Sequence, residues 1–592
     1  MNHKTEETVK YKGPRYIVVV GGVMSGVGKG LATAAIAKIL TEYGFSVTAV
    51  KIDPYISFDA GLFRPTEHGE VWVTDDGGEI DQDMGNYERF LNRSISRTNN
   101  ITTGQIYKTV IDSERRGEYL GATVELIPHI TDEIKRRVVG SADNYDICMV
   151  EIGGTMGEYQ NIPFLFAMKS LQIEIGMENM VYILITYLPV PSHIEEMKTK
   201  PTQQAIKLLS ENAIFPDFIL CRAGKPLDLI RKKKIQTYAN ISADYIISAP
   251  DTTDLYAIPL NFEKESIGRK ILNKLRIKPH RKPDWKQWKH YVRRIDKPKR
   301  TVNIAIVNKY VITGSFKLAD CFISVSQSLV HAGAELDVGV KIHWVDAKSI
   351  EKVDDPGVIL SQYDGILIPG GFGEQGFEGM IQTVRYAREH DIPYLGLCFG
   401  MQLAVCEFAR TVCGFEGAAT TEVYPDTPHP VITIIEAQKA ILASEGYGGT
   451  MRLGAYAAVL KEGTKIYSMY EAARRIDSDR SIIESFRADK TQHFRLGRLK
   501  KSDIAIVERH RHRYEVNPDY IAKLENKGLV FGGYHTCGDG TKLMEFIELP
   551  ENRCFIATQG HPEFTSRLGR PNPMFMGFVE AAADGKDHAR SV

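Results

Sequence analysis

Tyr16 to Leu40, YIVVVGGVMSGVGKGLATAAIAKIL, is the stretch that decides the fold class of the first half of the chain. Its β-branched run, Ile17 to Val20, is bounded by glycines and predicts a fully buried strand. The glycine-rich loop over residues 21–30 lets backbone N–H groups surround an anion, and Lys29 adds a positive charge. From Leu31 the apolar residues recur at helical spacing, so the loop precedes a helix N-terminus, where phosphate binds favourably. The stretch therefore predicts a site for the phosphates of a nucleotide.

This loop differs from the usual phosphate loop in a way that concerns the metal ion. Gly30 follows Lys29, whereas the usual loop has there a serine or threonine whose hydroxyl reaches magnesium. A bound metal nucleotide would therefore need carboxylates from elsewhere in the chain. One source is the acidic run over residues 74–83, for which a solvated loop is the alternative, and another is Glu151, which ends a predicted buried strand. Lys51, at the end of the second predicted strand, is a further candidate for a phosphate contact.

The composition is that of a globular protein with more than one domain. The chain has 592 residues, which is too long for a single core. Hydrophobic residues make up 43% and charged residues 25%, and the net charge is zero, so nothing favours a nucleic-acid or membrane surface as a partner. No apolar run approaches the roughly 20 residues of a membrane helix. The eight cysteines contain no C-x-x-C pair, which predicts reduced thiols and a cytoplasmic location.

Predicted strands continue through the first half of the chain and begin again after a basic stretch. The loop KTKPTQ, residues 198–203, has two lysines before a predicted helix; it would suit a triphosphate, and a solvated helix start is the alternative. Residues 278–300 are rich in lysine, arginine and proline and predict a linker, with RNA binding as the alternative. The predicted domains are therefore residues 1–277 and 301–592.

The second half contains a pattern that is typical of a cysteine nucleophile. Cys398, in YLGLCFGMQ, lies between a predicted strand and a predicted helix and is flanked by Gly396 and Gly400. This is the sequence of a sharp elbow that presents a side chain above a sheet. A helix N-terminus also lowers the pKa of a thiol, which makes the thiolate more available. We interpret three cysteines without such flanking glycines as core residues: Cys406, Cys413 and Cys554.

A base and an orienting acid follow near the end of the chain. In HPE, residues 561–563, His561 would accept the thiol proton and Glu563 would orient the imidazole. The backbone N–H groups of Gly371, in GGFG, and of Phe399 would stabilise an oxyanion, and each such donor contributes roughly 3 to 4 kcal/mol. The elbow, the GGFG turn and HPE together predict a class I glutamine amidotransferase domain.

Taken together and in order, these motifs resemble the CTP synthase family from Tyr16 to about Val579. The matching blocks are GGVMSGVGKG, KIDPYI, EHGEVWVTDDGGEIDQD, YLGATVELIPHIT, EIGGT, KTKPTQ, PGGFG, GLCFGMQLA, GGTMRLG, ERHRHRYEVN and HPEFTS. The resemblance implies an α/β protein with two parallel-sheet domains, an N-terminal phosphate-loop amidoligase similar to dethiobiotin synthetase and a C-terminal class I glutaminase. It implies that MgATP phosphorylates the uracil 4-oxygen of UTP. Ammonia, released from glutamine and channelled internally, then displaces the phosphate to give CTP.

The resemblance also implies the residues of each site. The ATP residues are Ser25, Gly26, Val27, Gly28, Lys29, Gly30, Lys51, Pro250, Asp251 and Thr252. The residues for UTP and for inhibitory CTP are Ser25, Glu158, Gln160, Lys198, Thr199, Lys200, Gln203 and Lys234. Asp83 and Glu151 are the implied magnesium ligands, and Gln402, Glu422 and Arg513 join the glutamine site. His68 lies in the segment associated with the entry of ammonia to the synthetase site. The family also implies a homotetramer that can assemble into filaments.

Four departures from the family pattern concern regulation and structure. Glu158-Tyr159-Gln160 replaces an Asp-Ile-Glu that is linked to pyrimidine discrimination and CTP feedback, and Phe399 replaces a leucine. Gln375 replaces an arginine linked to GTP activation, so activation by GTP is a hypothesis for this chain. Residues near 472–501 form an expected insertion, for which a surface excursion, a subunit contact and a lid are the alternatives.

Two other functions compete with this interpretation. The first is a glutamine-dependent amidoligase of the cobyrinic acid type, against which KTKPTQ and GGTMRLG argue. The second is a catalytically silent, filament-forming regulator. The presence of the nucleophile, the base and the metal ligands argues against that alternative.

Overall fold

The computed structural model describes residues 11–193, 196–309, 312–313, 316–317, 319–435 and 451–589. Within these ranges the chain forms two compact units, one made of residues up to Ala60 together with Asp83–Val292, the other of Gly61–Gln82 together with the residues from Arg293 onward. Residues 61–82 therefore group with the second unit, although the first unit surrounds them in the sequence. The first three residues of the GGTMRLG block, 448–450, lie outside the described residues.

The first unit is built on a parallel sheet that, in the described residues, has seven strands. Their spatial order is β3-β2-β4-β1-β5-β6-β7. Every residue of β4 is buried, as is typical of a parallel sheet covered by helices on both faces. The order reverses beside β1, and ligands bind at the carboxyl ends of strands at such a point. The strands are β1 (Arg15–Gly21), β2 (Val47–Asp53), β3 (Asn100–Thr102), β4 (Ile147–Ile152), β5 (Met180–Tyr187), β6 (Phe218–Ala223) and β7 (Ile246–Pro250).

Helix α1 (Lys29–Glu42) follows the glycine-rich loop directly and packs its alanine- and isoleucine-rich face into the core. The other helices of this half are Asp83–Leu91, Thr103–Arg115, Thr131–Ser141, Ile162–Ile175, Lys200–Glu211, Leu229–Ala239, Ile258–Lys264, Ile267–Lys274 and Lys286–Asp296. Short turns of helix cover Arg97–Asn99, Leu126–Ile130, Tyr159–Asn161, Met177–Asn179, Ala243–Tyr245 and Leu255–Ala257. The helix Lys286–Asp296 lies in the stretch predicted as a linker. Its Trp288 is buried and donates a hydrogen bond of 2.7 Å to the carbonyl of Tyr256, so this part of the stretch packs on the first unit.

The second unit is built on a mixed sheet, with nine strands in the described residues. Its spatial order is β9-β8-β10-β11-β16-β15-β14-β12-β13. The first five strands in this order pair in parallel and the others pair antiparallel. The strands are β8 (Arg300–Asn308), β9 (Val338–Asp346), β10 (Gly365–Ile368), β11 (Tyr394–Leu397), β12 (Arg452–Leu460), β13 (Ala505–His512), β14 (Val530–Thr536), β15 (Lys542–Glu548) and β16 (Phe555–Thr558).

Smaller elements complete this unit. Short strands are Trp72–Val73 paired with Glu79–Ile80, Ile312–Thr313 paired with Phe316–Lys317, and the group Ala419–Thr420, Pro430–Thr433 and Glu515–Val516. Helix α2 (Phe399–Thr411) follows β11, and α3 (Arg475–Ala488) lies in the predicted insertion. The other helices are Pro65–His68, Ile323–Leu336, Ala347–Ile350, Gly357–Leu360, Phe377–Glu389, Lys465–Ala472, Pro518–Glu525 and Pro573–Ala589, with short turns at Ala319–Phe322, Lys490–Arg495 and Pro562–Phe564.

The predicted insertion near 472–501 forms a packed layer on the sheet. Arg475 of α3 pairs with Asp479 at 3.0 Å, and the Asp479 carboxylate accepts a hydrogen bond of 2.9 Å from the N–H of Val507 in β13. Ile483 and Phe486 are buried in a small apolar cluster with residues of β12 and β13. Apolar packing and a buried ion pair therefore join this segment to the sheet.

The structure confirms the predicted α/β class with two sheet domains. The second sheet is parallel over only part of its width, because β14 and β15 are joined by a tight hairpin turn over residues 537–541, which requires antiparallel pairing. Among the described residues, none of the helices combines the length and the apolar character needed to cross a membrane.

Candidate active sites

The glycine-rich loop connects β1 to α1 as the sequence predicts. Gly26 and Gly28 have φ values of +69° and +80°, which glycine adopts without strain. Ser25 and Gly26 are exposed at the tip of the loop. The Lys29 ammonium group donates a hydrogen bond of 2.7 Å to the carbonyl of Gly154, which follows β4. Burial lowers the pKa of Lys29, although nearby carboxylates act in the opposite direction.

Three of the predicted residues form one buried ionic cluster at the carboxyl ends of β2 and β4. The Lys51 ammonium group lies 2.5 Å from Asp83 Oδ2 and 3.0 Å from Glu151 Oε1. The Tyr87 hydroxyl donates to the other oxygen of Glu151. Burial raises the pKa of Glu151. For Asp83 burial acts in the same direction, but the charge and hydrogen bond of Lys51, together with the charge of Lys29, outweigh it and lower the pKa.

The position of Asp83 explains why a glycine follows Lys29. A Cβ atom added to Gly30 would lie 1.9 Å from Asp83 Oδ1, so the carboxylate fills the space that a serine or threonine side chain would need. Magnesium in phosphate-transfer sites commonly binds one or two carboxylates together with substrate phosphates. Asp83 and Glu151 fit that donor set. Among the described residues no group of three or more His, Cys, Asp or Glu side chains is arranged for a metal.

A cavity of about 60 Å³ joins the loop to the predicted adenine residues. Its lining includes Val27 and Gly28 from the loop and Pro250, Asp251 and Thr252 from the end of β7. Arg222, in β6, also lines it and pairs with Asp251 through an Nε to Oδ1 distance of 2.8 Å. Sequence reasoning did not select Arg222, because it belongs to no motif.

The predicted UTP residues fall into two groups. At the start of the helix Lys200–Glu211, the side chain of Gln203 donates a hydrogen bond of 3.2 Å to Thr199 Oγ1. Lys198 pairs with Glu196 at 2.6 Å. The hydrogen bond and the charge of Lys198 lower the pKa of Glu196, and the charges of Arg231 and Lys234 add smaller effects in the same direction. Lys200 and Lys234 are exposed.

The second group follows β4. Glu158 accepts hydrogen bonds of 3.0 and 2.8 Å from the N–H and the hydroxyl of Thr155, and the Gln160 amide lies 3.4 Å from the same carboxylate. In the described part of the chain no hydrogen bond or ion pair joins Glu158 or Gln160 to residues 198–203.

Cys398 occupies a strained turn between β11 and α2. Its φ of +49° and ψ of −100° are rare for a residue with a side chain, and such strain is common at nucleophiles. A Cβ atom at Gly400 would lie 2.3 Å from the carbonyl oxygen of Ile368 in β10, so the close approach of helix and sheet requires glycine there.

His561 and Cys398 both lie close to the position that a side chain at Gly370 would occupy. A Cβ atom on Gly370 would be 2.8 Å from His561 Cε1 and 3.6 Å from Cys398 Cβ. His561 Nδ1 lies 2.7 Å from Glu563 Oε1, and its Nε2 atom has no hydrogen-bond partner among the described residues. Burial disfavours a charged imidazole, but the charge of Glu563 and its hydrogen bond to the ring, together with the interaction with Cys398, outweigh burial and raise the pKa of His561 to about 10.

These residues line a cavity of about 440 Å³, which is large enough for an amino acid. Gly371, Glu422 and Arg513 line the same cavity. Glu422 Oε1 accepts a hydrogen bond of 2.9 Å from the N–H of Gly373, and burial raises the pKa of Glu422. Phe399 and Gln402 are buried and are not part of this lining. The Gln402 amide donates to the carbonyl of Tyr514 at 3.2 Å.

One wall of this cavity comes from residues 61–82. Arg511, in the RHRHR run of β13, lies 2.7 Å from Glu79 and donates a hydrogen bond of 3.1 Å to the carbonyl of Gly61. Trp72 packs edge-on against Phe564, whose ring stacks on that of His561. His68 is exposed, with its ring 4.5 Å from that of Phe63. The sequence gives no signal for this wall, because its partners lie more than 400 residues further along the chain.

Comparison with known proteins identifies the family of the chain. Residues 15–277 match the family model described as CTP synthase N-terminus, and residues 317–581 match that of class-I glutamine amidotransferase. The CTP synthase of Pyrococcus abyssi is 47% identical over 572 residues, which are 97% of this chain and 98% of that protein. The chain belongs to the CTP synthase family. It is a ligase that hydrolyses glutamine and uses ATP to aminate UTP to CTP.

Two further members of the CTP synthase family give the range of similarity. The CTP synthase of Methanocaldococcus jannaschii is 44% identical over 577 residues, which are 97% of this chain and 99% of that protein. The solved glutaminase domain of Trypanosoma brucei CTPS with bound acivicin is 31% identical to this chain. The match covers 48% of this chain and 94% of the solved chain, with a TM-score of 0.38.

Proposed function

We propose that this chain releases ammonia from glutamine at Cys398, His561 and Glu563. The observation that carries the proposal is that a cysteine on a strained elbow and a carboxylate-bound histidine line one cavity. His561 takes the thiol proton, and the sulfur attacks the amide carbon of glutamine. The N–H groups of Gly371 and Phe399 stabilise the oxyanion. His561 then returns the proton to the leaving nitrogen, so ammonia departs and a thioester remains, which water hydrolyses to glutamate.

The two charged side chains of the cavity define how glutamine binds. Glu422 receives the ammonium group of glutamine, and Arg513 receives its carboxylate through the planar guanidinium. Gln402 supports the wall behind the nucleophile through its hydrogen bond to Tyr514.

In the synthetase unit, the proposal assigns phosphoryl transfer to the loop and the ionic cluster. Residues 25–30 surround the phosphates of ATP, and Lys29 and Lys51 neutralise charge on the transferred group. Residues 250–252 contact the adenine. Asp83 and Glu151 would hold Mg²⁺, which would shield the charge of the phosphate oxygens.

UTP binding in this proposal uses Ser25, Lys198, Thr199, Lys200, Gln203 and Lys234, with Glu158 and Gln160 on the pyrimidine side. Ammonia displaces phosphate from the activated 4-carbon of the uracil ring, because phosphate is a far better leaving group than the original carbonyl oxygen. We also propose a homotetramer able to form filaments, and a cytoplasmic location, where ATP, UTP and glutamine are available. Activation by GTP remains a hypothesis. An unchanged rate of glutamine-dependent turnover on addition of GTP would refute that hypothesis.

The test of the two-centre proposal compares nitrogen donors. Absorbance-monitored conversion of UTP, with ATP and magnesium, is measured with glutamine or with ammonium for the native chain, Cys398→Ala and Cys406→Ala. Cys406 is a matched control because it is a buried cysteine within helix α2, which Cys398 immediately precedes. We expect Cys398→Ala to use only ammonium and Cys406→Ala to use both donors. Retention of glutamine-dependent turnover by Cys398→Ala would refute the assignment of the nucleophile.

A further inference from the structure

Lys309 is a cation beside the glutaminase cavity that the proposed mechanism does not use. It follows strand β8 and is only partly exposed. Its Nζ atom donates a hydrogen bond of 2.6 Å to the carbonyl of Gly373 and lies 4.5 Å from the centroid of the Phe399 ring. Burial lowers its pKa to about 8, against the opposing effect of the Glu422 charge. A desolvated ammonium group is costly, so its two contacts must offset that cost.

The first contact fixes the GGFG turn. Both backbone groups of Gly373 are hydrogen-bonded. Its N–H donates to Glu422 at 2.9 Å, and its carbonyl accepts from Lys309. Its φ of +86° makes this orientation available to glycine without strain. Gly371, whose N–H is one of the two proposed oxyanion donors, is two residues away in the same turn.

The second contact fixes the residue that carries the other donor. The Phe399 ring lies against the Lys309 ammonium group and packs edge-on against Phe377 at 6.3 Å between centroids. The N–H of Phe399 is the first of helix α2, where N–H groups have no acceptor within the helix. One ammonium group therefore contacts the turn that holds one proposed donor and the side chain of the residue that holds the other.

We propose that Lys309 is a positioning residue of the glutaminase, which fixes the GGFG turn and the Phe399 ring so that the Gly371 and Phe399 N–H groups point at the oxyanion. The inference rests on the proposed glutaminase site. The oxyanion forms only during the reaction, so loss of Lys309 lowers kcat for glutamine more than it raises KM. A leucine at position 399 offers no ring to a cation, so the contact depends on the phenylalanine in this chain.

The experiment measures glutamate release and, separately, CTP formation with saturating ammonium for the full-length chain and its variants. We expect Lys309→Met to lower kcat for glutamine by about tenfold or more and to change KM by less than about threefold. Ammonium-dependent activity should stay within about twofold, because the glutaminase is bypassed. Lys309→Arg, which keeps the charge and a donor, should recover at least about half of the lost kcat. Phe399→Leu should lower kcat by roughly twofold to tenfold, and should have no further effect in the Lys309→Met background.

Lys523→Met is the matched control. Lys523 also lies 4.5 Å from an aromatic centroid, that of Tyr520, but it is exposed and is not among the residues that line the glutaminase cavity. Its substitution should leave both activities unchanged. A Lys309→Met enzyme with native kcat for glutamine, or with equal losses for glutamine and ammonium, would overturn the inference while leaving the result for Cys398→Ala intact. Loss through KM alone would overturn it too. If Cys398→Ala retained glutaminase activity, the proposed site would fail and this inference with it.

Discussion

Replacement of Gly30 with alanine adds one methyl group at the point where the Asp83 carboxylate lies. A Cβ atom at position 30 would be 1.9 Å from Asp83 Oδ1 and 2.4 Å from Asp83 Cγ. Contacts this short do not occur in proteins, so the carboxylate must move. Because the three nearest atoms all belong to the Asp83 side chain, the fold can persist while the ion pair between Asp83 and Lys51, 2.5 Å in the native chain, is broken.

The size of the effect follows from the burial of this pair. Displacing one partner of a buried ion pair costs about 3–5 kcal/mol. The Asp83 side chain is 25% exposed and Lys51 keeps its contact with Glu151, so we take the lower end, about 3 kcal/mol. If the transition state of phosphoryl transfer loses that stabilisation, the rate falls roughly a hundredfold.

The assay is conversion of UTP with saturating ammonium, which needs the synthetase centre alone. Gly140→Ala is the control, because a Cβ atom there meets nothing within 4 Å and the position lies in the helix Thr131–Ser141. Its rate should equal that of the native chain. If Gly30→Ala retained more than about a third of the native rate, a loss of less than about 0.7 kcal/mol of transition-state stabilisation, the carboxylate would not be needed where the structure places it.

Two further predictions concern stability, measured by urea denaturation. A histidine whose pKa is raised to about 10 contributes stability that is complete below its unfolded pKa of about 6.5 and is lost as the pH rises through about 10. The Glu563→Gln variant lacks a charge that holds His561 protonated. Between about pH 6.5 and pH 10, the free energy of unfolding should therefore fall more steeply for the native chain than for this variant. Parallel curves of the free energy of unfolding against pH would contradict the prediction. Arg475→Met should lower the free energy of unfolding by about 3–5 kcal/mol because it leaves Asp479 buried without its partner. Arg480→Met is the control, because the ion pair of Arg480 is exposed. Its free energy of unfolding should change by less than about 0.5 kcal/mol. Equal losses of stability in Arg475→Met and Arg480→Met would refute the role of burial.

Local signals in the sequence were sufficient for the parts of each centre that lie at strand ends. The elbow at Cys398 could be predicted because its flanking glycines are adjacent in the sequence, and the structure has that strand, turn and helix. The wall made by residues 61–82 could not be predicted. It depends on pairs such as Arg511 with Glu79, which join residues 432 positions apart, and no local pattern encodes such a pair.

Lys309 and Arg222 were missed for a related reason. Each is a single cation at the end of a strand, and its significance comes from the loop it contacts: the GGFG turn for Lys309 and the phosphate loop for Arg222, whose Nη1 atom lies 3.4 Å from the carbonyl oxygen of Gly26. Composition and spacing do not distinguish such a lysine or arginine from a solvated one.

Glycine in both centres provides space for a functional group as well as backbone freedom. In the sequence, Gly30 stands where the usual phosphate loop has a residue with a hydroxyl group. In the structure the absent side chain is what admits the Asp83 carboxylate, just as the absent side chain of Gly370 admits the His561 ring, 2.8 Å from where a Cβ atom would be. A glycine in such a motif therefore predicts that a group from elsewhere in the chain approaches the backbone at that point. The identity of that group is set by the fold, which is why Asp83 and His561 could be assigned from family resemblance or chemistry but their packing against these glycines could not.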